Sequence, residues 1–151
     1  MRLISHRGNI NGSNPEMENN PEYIQEALDL GYDVEVDVWW VEDTGFCESG
    51  FYLGHDEPQY KVNEKYLEEV GLWCHAKNID ALNQMIENGK IHCFFHQEDD
   101  VTLTTEDYLW TYPGKQLTSN SICVMPSDHR IMTLDIAGIC SDNIASFESV
   151  I

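Results

Sequence analysis

Short apolar runs alternate with capped helical segments over the first two thirds of the chain. The runs are rich in Val, Ile, Phe, Trp, Tyr and Cys, and Gly, Pro, Asn or Asp separates them, a pattern typical of buried strands. The strands predicted in this way are Arg2–His6, Asp33–Trp40, Phe51–Gly54, Leu72–His75, Ile91–His96, Tyr108–Tyr112, Ser121–Met125 and Ala137–Cys140.

Three helical segments have clear boundaries, with asparagine at each N-cap and glycine just after each end. They run from Asn20 to Gly31, from Asn63 to Gly71 and from Asn78 to Gly89. Each is followed at once by an apolar run, which predicts βα units and a parallel sheet. After His96 the connections contain many turn-forming residues and little helical periodicity, so strands without full helices are expected there. The pattern shows no repeat or linker, and we expect one domain over residues 1–151.

Charge and composition narrow the class of protein. The chain of 151 residues carries 27 acidic and 8 basic side chains, a formal net charge of −19, with 42% hydrophobic residues. This apolar content predicts a folded domain, and the negative charge argues against binding to nucleic acid or to anionic membranes. No apolar stretch approaches the roughly 20 residues that a membrane span needs. Five cysteines without CxxC spacing, and a strand that starts at Arg2 with no room for a signal peptide, predict a reduced, cytoplasmic protein.

Polar residues of a catalytic type fall where successive predicted strands end. Glu35 and Asp37 are two residues apart on one strand and therefore share a face, as do His75 and Lys77 on another. In a parallel βα architecture the carboxyl ends of the strands form one edge, where active sites are built. Two inward-facing carboxylates repel one another unless a cation neutralises them, so Glu35 and Asp37 indicate a metal site. The other residues at this edge are His6, Arg7, His55 and His96.

The combined motifs resemble the glycerophosphodiester phosphodiesterase family, within the phospholipase C-like phosphodiesterases. They are His6-Arg7-Gly8, then Glu18-Asn19, then Glu35-x-Asp37, then His55-Asp56, and finally Lys77. The resemblance covers residues 1–77. The segment 138–142 is similar to the last strand of that family. The resemblance implies a TIM barrel that uses a divalent metal, Mg²⁺ or Ca²⁺, and two histidines to cleave phosphodiesters of lipid metabolism, in some cases through a cyclic phosphate.

Residue roles follow from the same resemblance. It implies that His6 and His55 are the acid–base pair, that Arg7 and Lys77 bind phosphate, and that Glu18, Glu35 and Asp37 hold the metal. His75 stands where the family usually has a glutamate ligand, so it is expected to ligate the metal weakly, to favour a softer metal or to contact the substrate. His96 and Tyr112, at later strand ends, are candidate pocket residues.

The length conflicts with an ordinary barrel, which takes about 250 residues. We therefore expect an α/β fold of reduced TIM type, a βα barrel with parallel strands and with helices shortened or missing in the second half. Part of its outer wall would be uncovered, so we expect either short covering loops or a homo-oligomer. The expected partner is a small anionic phosphodiester. A catalytically weak barrel that binds a phosphorylated metabolite, or an interaction module, is the alternative.

Overall fold

A curled mixed sheet organises the chain. The computed structural model describes residues 1–149, and within that range the sheet has ten strands. In chain order they are β1 Arg2–His6, β2 Asp33–Val41, β3 Gly50–Leu53, β4 Tyr60–Val62, β5 Leu72–Ala76, β6 Cys93–Phe94, β7 Val101–Leu103, β8 Leu109–Thr111, β9 Ser121–Val124 and β10 Gly138–Ser141. All eight predicted strands are present, with ends that shift by at most two residues, and β4 and β7 are additional.

The centre of the sheet is parallel. β1 lies between β2 and β10, β5 and β6 extend the sheet beyond β2, and β9 and β8 extend it beyond β10, all in parallel pairs. The strands β3, β4 and β7 are antiparallel to their neighbours, and they form the hairpins β2–β3, β3–β4 and β7–β8. One backbone hydrogen bond links the two ends of the sheet, from the Thr105 amide after β7 to the Cys93 carbonyl at 3.0 Å, and no ladder of paired strands joins them in the described residues.

The prediction of a reduced TIM-type βα barrel is wrong. The sheet forms a half-barrel of mixed parallel and antiparallel strands, and helices do not alternate with strands around it. The α-helices of residues 1–149 are α1 Pro21–Asp29, α2 Ile79–Asn88 and the short α3 Ala145–Glu148. The reason lies in the connections after β6, which are short or rich in turn formers and carry no apolar stripe that would bury a helix against the sheet.

Local signals set the helix boundaries. The side chain of Asn20 accepts a hydrogen bond from the Glu22 amide at the start of α1, and that of Asn78 accepts one from the Ala81 amide at the start of α2. Gly89 ends α2 at a left-handed φ of 75°. The segment after Asn63 is correctly capped, but it forms a 3-10 helix at Glu64–Glu68 instead of a full α-helix. A second 3-10 helix, His129–Thr133, lies between β9 and β10.

An apolar plug fills the inside of the curl. It takes one side chain from each of six strands, and all six are at most 3% exposed: Ile4, Trp73, Phe94, Trp110, Ile122 and Cys140. Aromatic rings stack through it, with the Phe94 and Trp110 centroids 4.6 Å apart. A larger cluster packs α1 and α2 against the outer face of β2 and β5. The plug fixes the strand positions below the edge where the predicted site residues lie.

Two features bear on the solution environment. The five cysteines are free thiols, four of them buried and Cys47 partly exposed. Within residues 1–149, no helix is both long enough and apolar enough to cross a membrane.

His92, below the plug, makes the stability of the fold depend on pH. It is 8% exposed, its ring centroid lies 4.2 Å from that of Trp73, and its Nε2 is 2.8 Å from the Thr104 hydroxyl. Burial, with a smaller effect of the Arg2 charge, lowers its pKa to about 4, and the exposed Glu106 carboxylate at 3.6 Å does not offset this. The unfolded chain therefore takes up this proton near pH 6.5 and the folded chain only near pH 4, so acid favours unfolding.

We expect the wild-type protein to lose about 1–2 kcal/mol more unfolding free energy than His92→Gln between pH 7 and pH 5. Urea unfolding at both pH values measures the difference. His129→Gln, at an exposed histidine, serves as the matched control and should follow the wild type. Parallel pH curves for wild type and His92→Gln would contradict the assignment.

Candidate functional site

The pleat of the sheet places a polar ring directly above the apolar plug. Side chains two residues apart on a strand share a face, and five of the six plug residues are followed by a polar residue at or just after the strand end, whereas Ile122 is followed by Val124. The pairs are Ile4 and His6, Trp73 and His75, Phe94 and His96, Trp110 and Tyr112, and Cys140 and Asp142. The β2 residues Glu35 and Asp37 complete the ring.

Glu35 and Asp37 form a buried carboxylate pair with His75. Each carboxylate side chain is 1% exposed. Nδ1 of His75 lies 3.3 Å from Oε1 of Glu35 and 3.6 Å from Oδ1 of Asp37, and one ligand atom from each of the three residues falls within 4.8 Å of the others. Oε2 of Glu35 and Oδ1 of Asp37 accept no hydrogen bond. Buried carboxylate oxygens without donors, next to an imidazole nitrogen, fit a divalent cation.

His75 is held with one nitrogen toward the carboxylates. Its Nε2 is 2.7 Å from the His96 carbonyl, which can only accept, so Nε2 carries the hydrogen. Nδ1 is then the nitrogen available to a cation or to a second proton. Burial by itself lowers the pKa of His75, but the hydrogen bond and charge of Glu35, together with the charge of Asp37, raise it overall. A cation and a proton therefore compete for Nδ1.

His6 stands on the other side of Glu35 and is supported by Asp142. Its Nδ1 is 2.7 Å from Oδ1 of Asp142, and its Nε2 is 3.7 Å from Oε2 of Glu35. Burial lowers the pKa of His6, but the Asp142 hydrogen bond and the Glu35 charge outweigh this effect and raise it. Hydrogen bonds from His6 and Asn9 hold the pKa of Asp142 below its usual value despite partial burial. Asp142 and Glu35 therefore stabilise the protonated form of His6.

Arg7 connects the predicted residues of the first loop to the carboxylate pair. Its Nε lies 3.0 Å from Oδ2 of Asp37, as an ion pair without hydrogen-bond alignment, and its Nη1 lies 3.2 Å from Oε2 of Glu18. Glu18 also accepts from Asn9 and Ser13 through its other oxygen. Glu18, predicted as a metal ligand, therefore lies beside Arg7 and outside the group formed by Glu35, Asp37 and His75. Arg7 has a left-handed φ of 57°, a strained conformation typical of functional turns.

His55 reaches the site from the loop after β3. Its Nδ1 lies 3.5 Å from Oδ2 of Asp37, and its Nε2 lies 3.4 Å from Nη2 of Arg7. Because a guanidinium only donates, Nε2 of His55 accepts and carries a lone pair. The loop turns sharply at Gly54, where a Cβ atom would lie 1.9 Å from the Glu57 carbonyl oxygen, so only glycine fits. The His55 side chain is 42% exposed and faces solvent on its other side.

Asp37 contacts more of the predicted residues than any other member of the ring. Burial raises its pKa, but surrounding donors and positive charges lower it well below the usual range, so it remains ionised. Nζ of Lys77 lies 3.8 Å from Oδ1 of Asp37. The groups within 4 Å of its carboxylate are Arg7, Asn19, His55, His75 and Lys77.

The charges of the ring leave room for a dication. The four carboxylates Glu18, Glu35, Asp37 and Asp142 face two permanent cations, Arg7 and Lys77. With neutral histidines two negative charges remain, which either two protons on histidines or one divalent cation would balance. This balance and the donor-free oxygens point to the same place in the site.

The two predicted pocket residues lie beside His75. The His96 ring is 6.5 Å from the His75 ring, and the Tyr112 ring meets the His96 ring edge-on at 5.9 Å. His96 is buried and its Nε2 lies 2.6 Å from the Asp99 carbonyl, whereas Tyr112 is 44% exposed. Both residues follow strands at this edge of the sheet, neither is among the residues that line the polar cavity described next, and the His96 contact with His75 is made by its backbone carbonyl.

A polar cavity of about 340 Å³ opens on the opposite side of the ring. Arg7, Glu18, His55 and Asp142 are among the residues that line it. A larger cavity of about 690 Å³ lies by the second 3-10 helix, is lined by Cys123, Ile131 and Leu134 among others, and includes none of the predicted site residues. The smaller cavity is therefore the one from which a ligand can reach Arg7 and His55.

Three polar residues of the site were not assigned a role from the sequence. Asn19 donates to Asp37 and accepts from the Asp37 amide, both at 2.9 Å. Asn9 donates to Glu18 and Asp142, and Asp142 holds His6. Asp142 follows a strand end in the same way as His6 and His96, so the rule of polar residues at strand ends could have identified it.

Comparison with protein-family models, with curated proteins and with solved structures found no match to this chain. The case for a function therefore depends on the residues of the site and on their geometry.

Proposed function

We propose that this protein is a divalent-metal-dependent phosphodiesterase that cleaves a small glycerophosphodiester-like substrate. The observation that carries the proposal is the buried Glu35, Asp37 and His75 group with a histidine on either side, His6 beside Glu35 and His55 beside Asp37. The order of motifs that resembles glycerophosphodiester phosphodiesterases supports the same chemistry. The family assignment is part of the proposal, and the half-barrel differs from the TIM barrel that the resemblance implies.

Glu35, Asp37 and His75 are the residues that would hold the metal. Their donor-free oxygens and the negative charge of the ring fit a dication. A bound dication polarises phosphoryl oxygens and offsets the charge that develops on them. We assign Glu18 to holding Arg7, because both of its carboxylate oxygens already accept hydrogen bonds from Arg7, Asn9 and Ser13.

The hydrogen-bond partners of the two histidines assign their roles. His55 has a lone pair on Nε2, because Arg7 donates toward it, and it is open to the cavity, so it acts as the general base. His6 holds its proton through Asp142 and Glu35, so it acts as the general acid. His55 takes the proton of the attacking hydroxyl as its oxygen bonds to phosphorus. The bond from phosphorus to the alcohol oxygen breaks, and that oxygen takes the proton of His6.

Arg7 and Lys77 supply positive charge for the phosphate. Arg7 lines the 340 Å³ cavity, and burial among Asp37, Glu35 and Glu18 keeps it charged, because the attraction of these carboxylates outweighs the effect of desolvation and raises its pKa. Lys77 approaches Asp37 from the β5 side. Both side chains pair with Asp37 in this structure, so a bound phosphate would compete with that carboxylate for the two cations.

Substrate class and location follow from coarser features. The cavity is small and polar, which supports a deacylated, water-soluble diester over an intact lipid, and the charge of −19 disfavours nucleic acid. The attacking hydroxyl belongs either to water or to the substrate, and the second case yields a cyclic phosphate. The five free thiols support a cytoplasmic location.

Phosphorus-31 NMR with glycerophosphodiesters of different alcohols tests the proposal. We expect a glycerophosphate or a cyclic glycerophosphate to accumulate with added divalent metal, and no turnover after EDTA until metal is restored. Thermal stabilisation by the diester without turnover, under every metal tried, would overturn the proposal in favour of a phosphate-binding protein. Turnover that continues in the presence of EDTA would show that the reaction does not need the proposed metal.

A further inference from the structure

We propose that the Glu35, Asp37 and His75 group is built for a first-row transition dication, of the class of Mn²⁺, Fe²⁺, Co²⁺ or Zn²⁺, and discriminates against Mg²⁺ and Ca²⁺. This inference deepens the proposed function and rests on its metal site. It replaces the Mg²⁺ or Ca²⁺ that the family resemblance implies. The basis is the placement of the His75 imidazole between two buried carboxylates.

The donor set is mixed. Two ligand atoms are carboxylate oxygens, and the third is Nδ1 of His75, within 4.8 Å of both. Mg²⁺ and Ca²⁺ are hard cations that prefer oxygen ligands, whereas imidazole nitrogen suits transition metals. A glutamate in place of His75 would give an all-oxygen set with one more negative charge. Substitution by histidine removes both features that favour the hard cations.

The imidazole cannot easily be moved out of the site. Nε2 of His75 donates to the His96 carbonyl at 2.7 Å, and the ring lies nearly parallel to that of Phe94, 15° off with centroids 5.0 Å apart. A hydrogen bond from the second nitrogen to a backbone carbonyl is the usual way in which proteins orient a histidine ligand. Phe94 belongs to the apolar plug, so the fold itself holds the ring.

The carboxylates near Nδ1 of His75 are also held in place by hydrogen bonds or burial. Oδ1 of Asp37 is buried and without a hydrogen-bond donor, while Oδ2 of the same carboxylate is held by Asn19 at 2.9 Å. Glu35 faces Nδ1 of His75 through Oε1, at 3.3 Å, and its donor-free Oε2 faces His6 at 3.7 Å. One Asp37 oxygen is thus anchored, while the other has no hydrogen bond and lies between Nδ1 of His75 at 3.6 Å and Nζ of Lys77 at 3.8 Å, a position that a cation ligand can take.

The test is a ligand exchange, His75→Glu, with calorimetric titration of metal-free protein by Mn²⁺, Co²⁺, Mg²⁺ and Ca²⁺. For the wild type we expect Mn²⁺ and Co²⁺ to bind at least about a hundredfold more tightly than Mg²⁺. His75→Glu should reduce that ratio at least about tenfold, the lower end of what even an outer-shell change costs in metal affinity. His129→Glu adds the same charge at an exposed histidine and should leave the ratio unchanged.

A second measurement covers the case in which His75→Glu does not fold. Pulsed electron paramagnetic resonance of Mn²⁺ bound to wild-type protein labelled with nitrogen-15 histidine should show one directly coordinated imidazole nitrogen. A signal without nitrogen coupling, or a metal preference that is the same in wild type and His75→Glu, would overturn this inference. If Mg²⁺ binds as tightly as Mn²⁺ and supports turnover, the inference fails and the proposed function stands. If metal binds as expected and no diester is cleaved, the proposed function fails instead.

Discussion

Replacement of His6 or His55 with alanine is expected to lower the rate of phosphodiester cleavage at least about a hundredfold, the low end of what a general acid or base contributes. His6→Ala removes the proton that Asp142 and Glu35 hold beside the site, and His55→Ala removes Nε2, the basic nitrogen to which Arg7 donates. Initial rates at saturating substrate and metal measure both losses. His129→Ala is the matched control and should retain wild-type turnover.

The two variants should differ in a way that separates acid from base. A diester with a p-nitrophenol leaving group departs without a proton, so His6→Ala should recover most of its loss on that substrate. His55→Ala should remain about a hundredfold slow on both substrates, because the attacking hydroxyl still needs a base. Recovery by His55→Ala instead would reverse the two assignments. Wild-type rates in either variant on a glycerophosphodiester would remove the histidines from the mechanism.

The second large effect is on stability. Asp37→Asn should lower the free energy of unfolding by about 3–5 kcal/mol, because it leaves buried positive charge without its partner. The isosteric amide keeps the size of the side chain, yet Arg7 at 3.0 Å and His75 at 3.6 Å lose the carboxylate that attracts them. Urea unfolding in the presence of EDTA measures this loss without a contribution from metal.

Asp128→Asn provides the matched control for that change. Asp128 lies 2.7 Å from Nη2 of Arg130, closer than the ion pairs of Asp37, but both partners are at the surface. We expect little change in its unfolding free energy, since exposed ion pairs contribute little. Added metal should then stabilise Asp128→Asn as it does the wild type, and should not stabilise Asp37→Asn. Equal losses in the two variants would contradict the central position given to Asp37.

Much of the site could be predicted from the sequence because strands alternate with a period of two. Glu35-x-Asp37 and His75-x-Lys77 specify shared faces, and the parallel order of the central strands brings their ends to one edge. The apolar residues two positions earlier, such as Trp73 and Phe94, account for the plug below. The predicted strands are present in the structure because each is a short apolar run between turn-forming residues.

The overall architecture could not be predicted in the same way. Whether a curled sheet closes, and whether a connection turns back as an antiparallel hairpin, depends on contacts distant in sequence, such as the bond from Thr105 to Cys93. The antiparallel pairing of β3 with β4 is a hairpin of this kind. It was not predicted, because the resemblance to a barrel family led to the expectation of parallel strands. The hydrogen-bond partners of the site residues could not be predicted from the sequence either. Nothing in the residue types alone placed Glu18 beside Arg7 or directed the His96 carbonyl at His75.

A crystal soaked with Mn²⁺ and glycerol phosphate, with diffraction recorded at the manganese edge, tests the proposed metal and phosphate sites together. We predict one anomalous peak among the side chains of Glu35, Asp37 and His75. We also predict a phosphate next to that peak, between His6 and His55 and within reach of Arg7. An anomalous peak elsewhere, or a phosphate bound away from both histidines, would contradict these predictions.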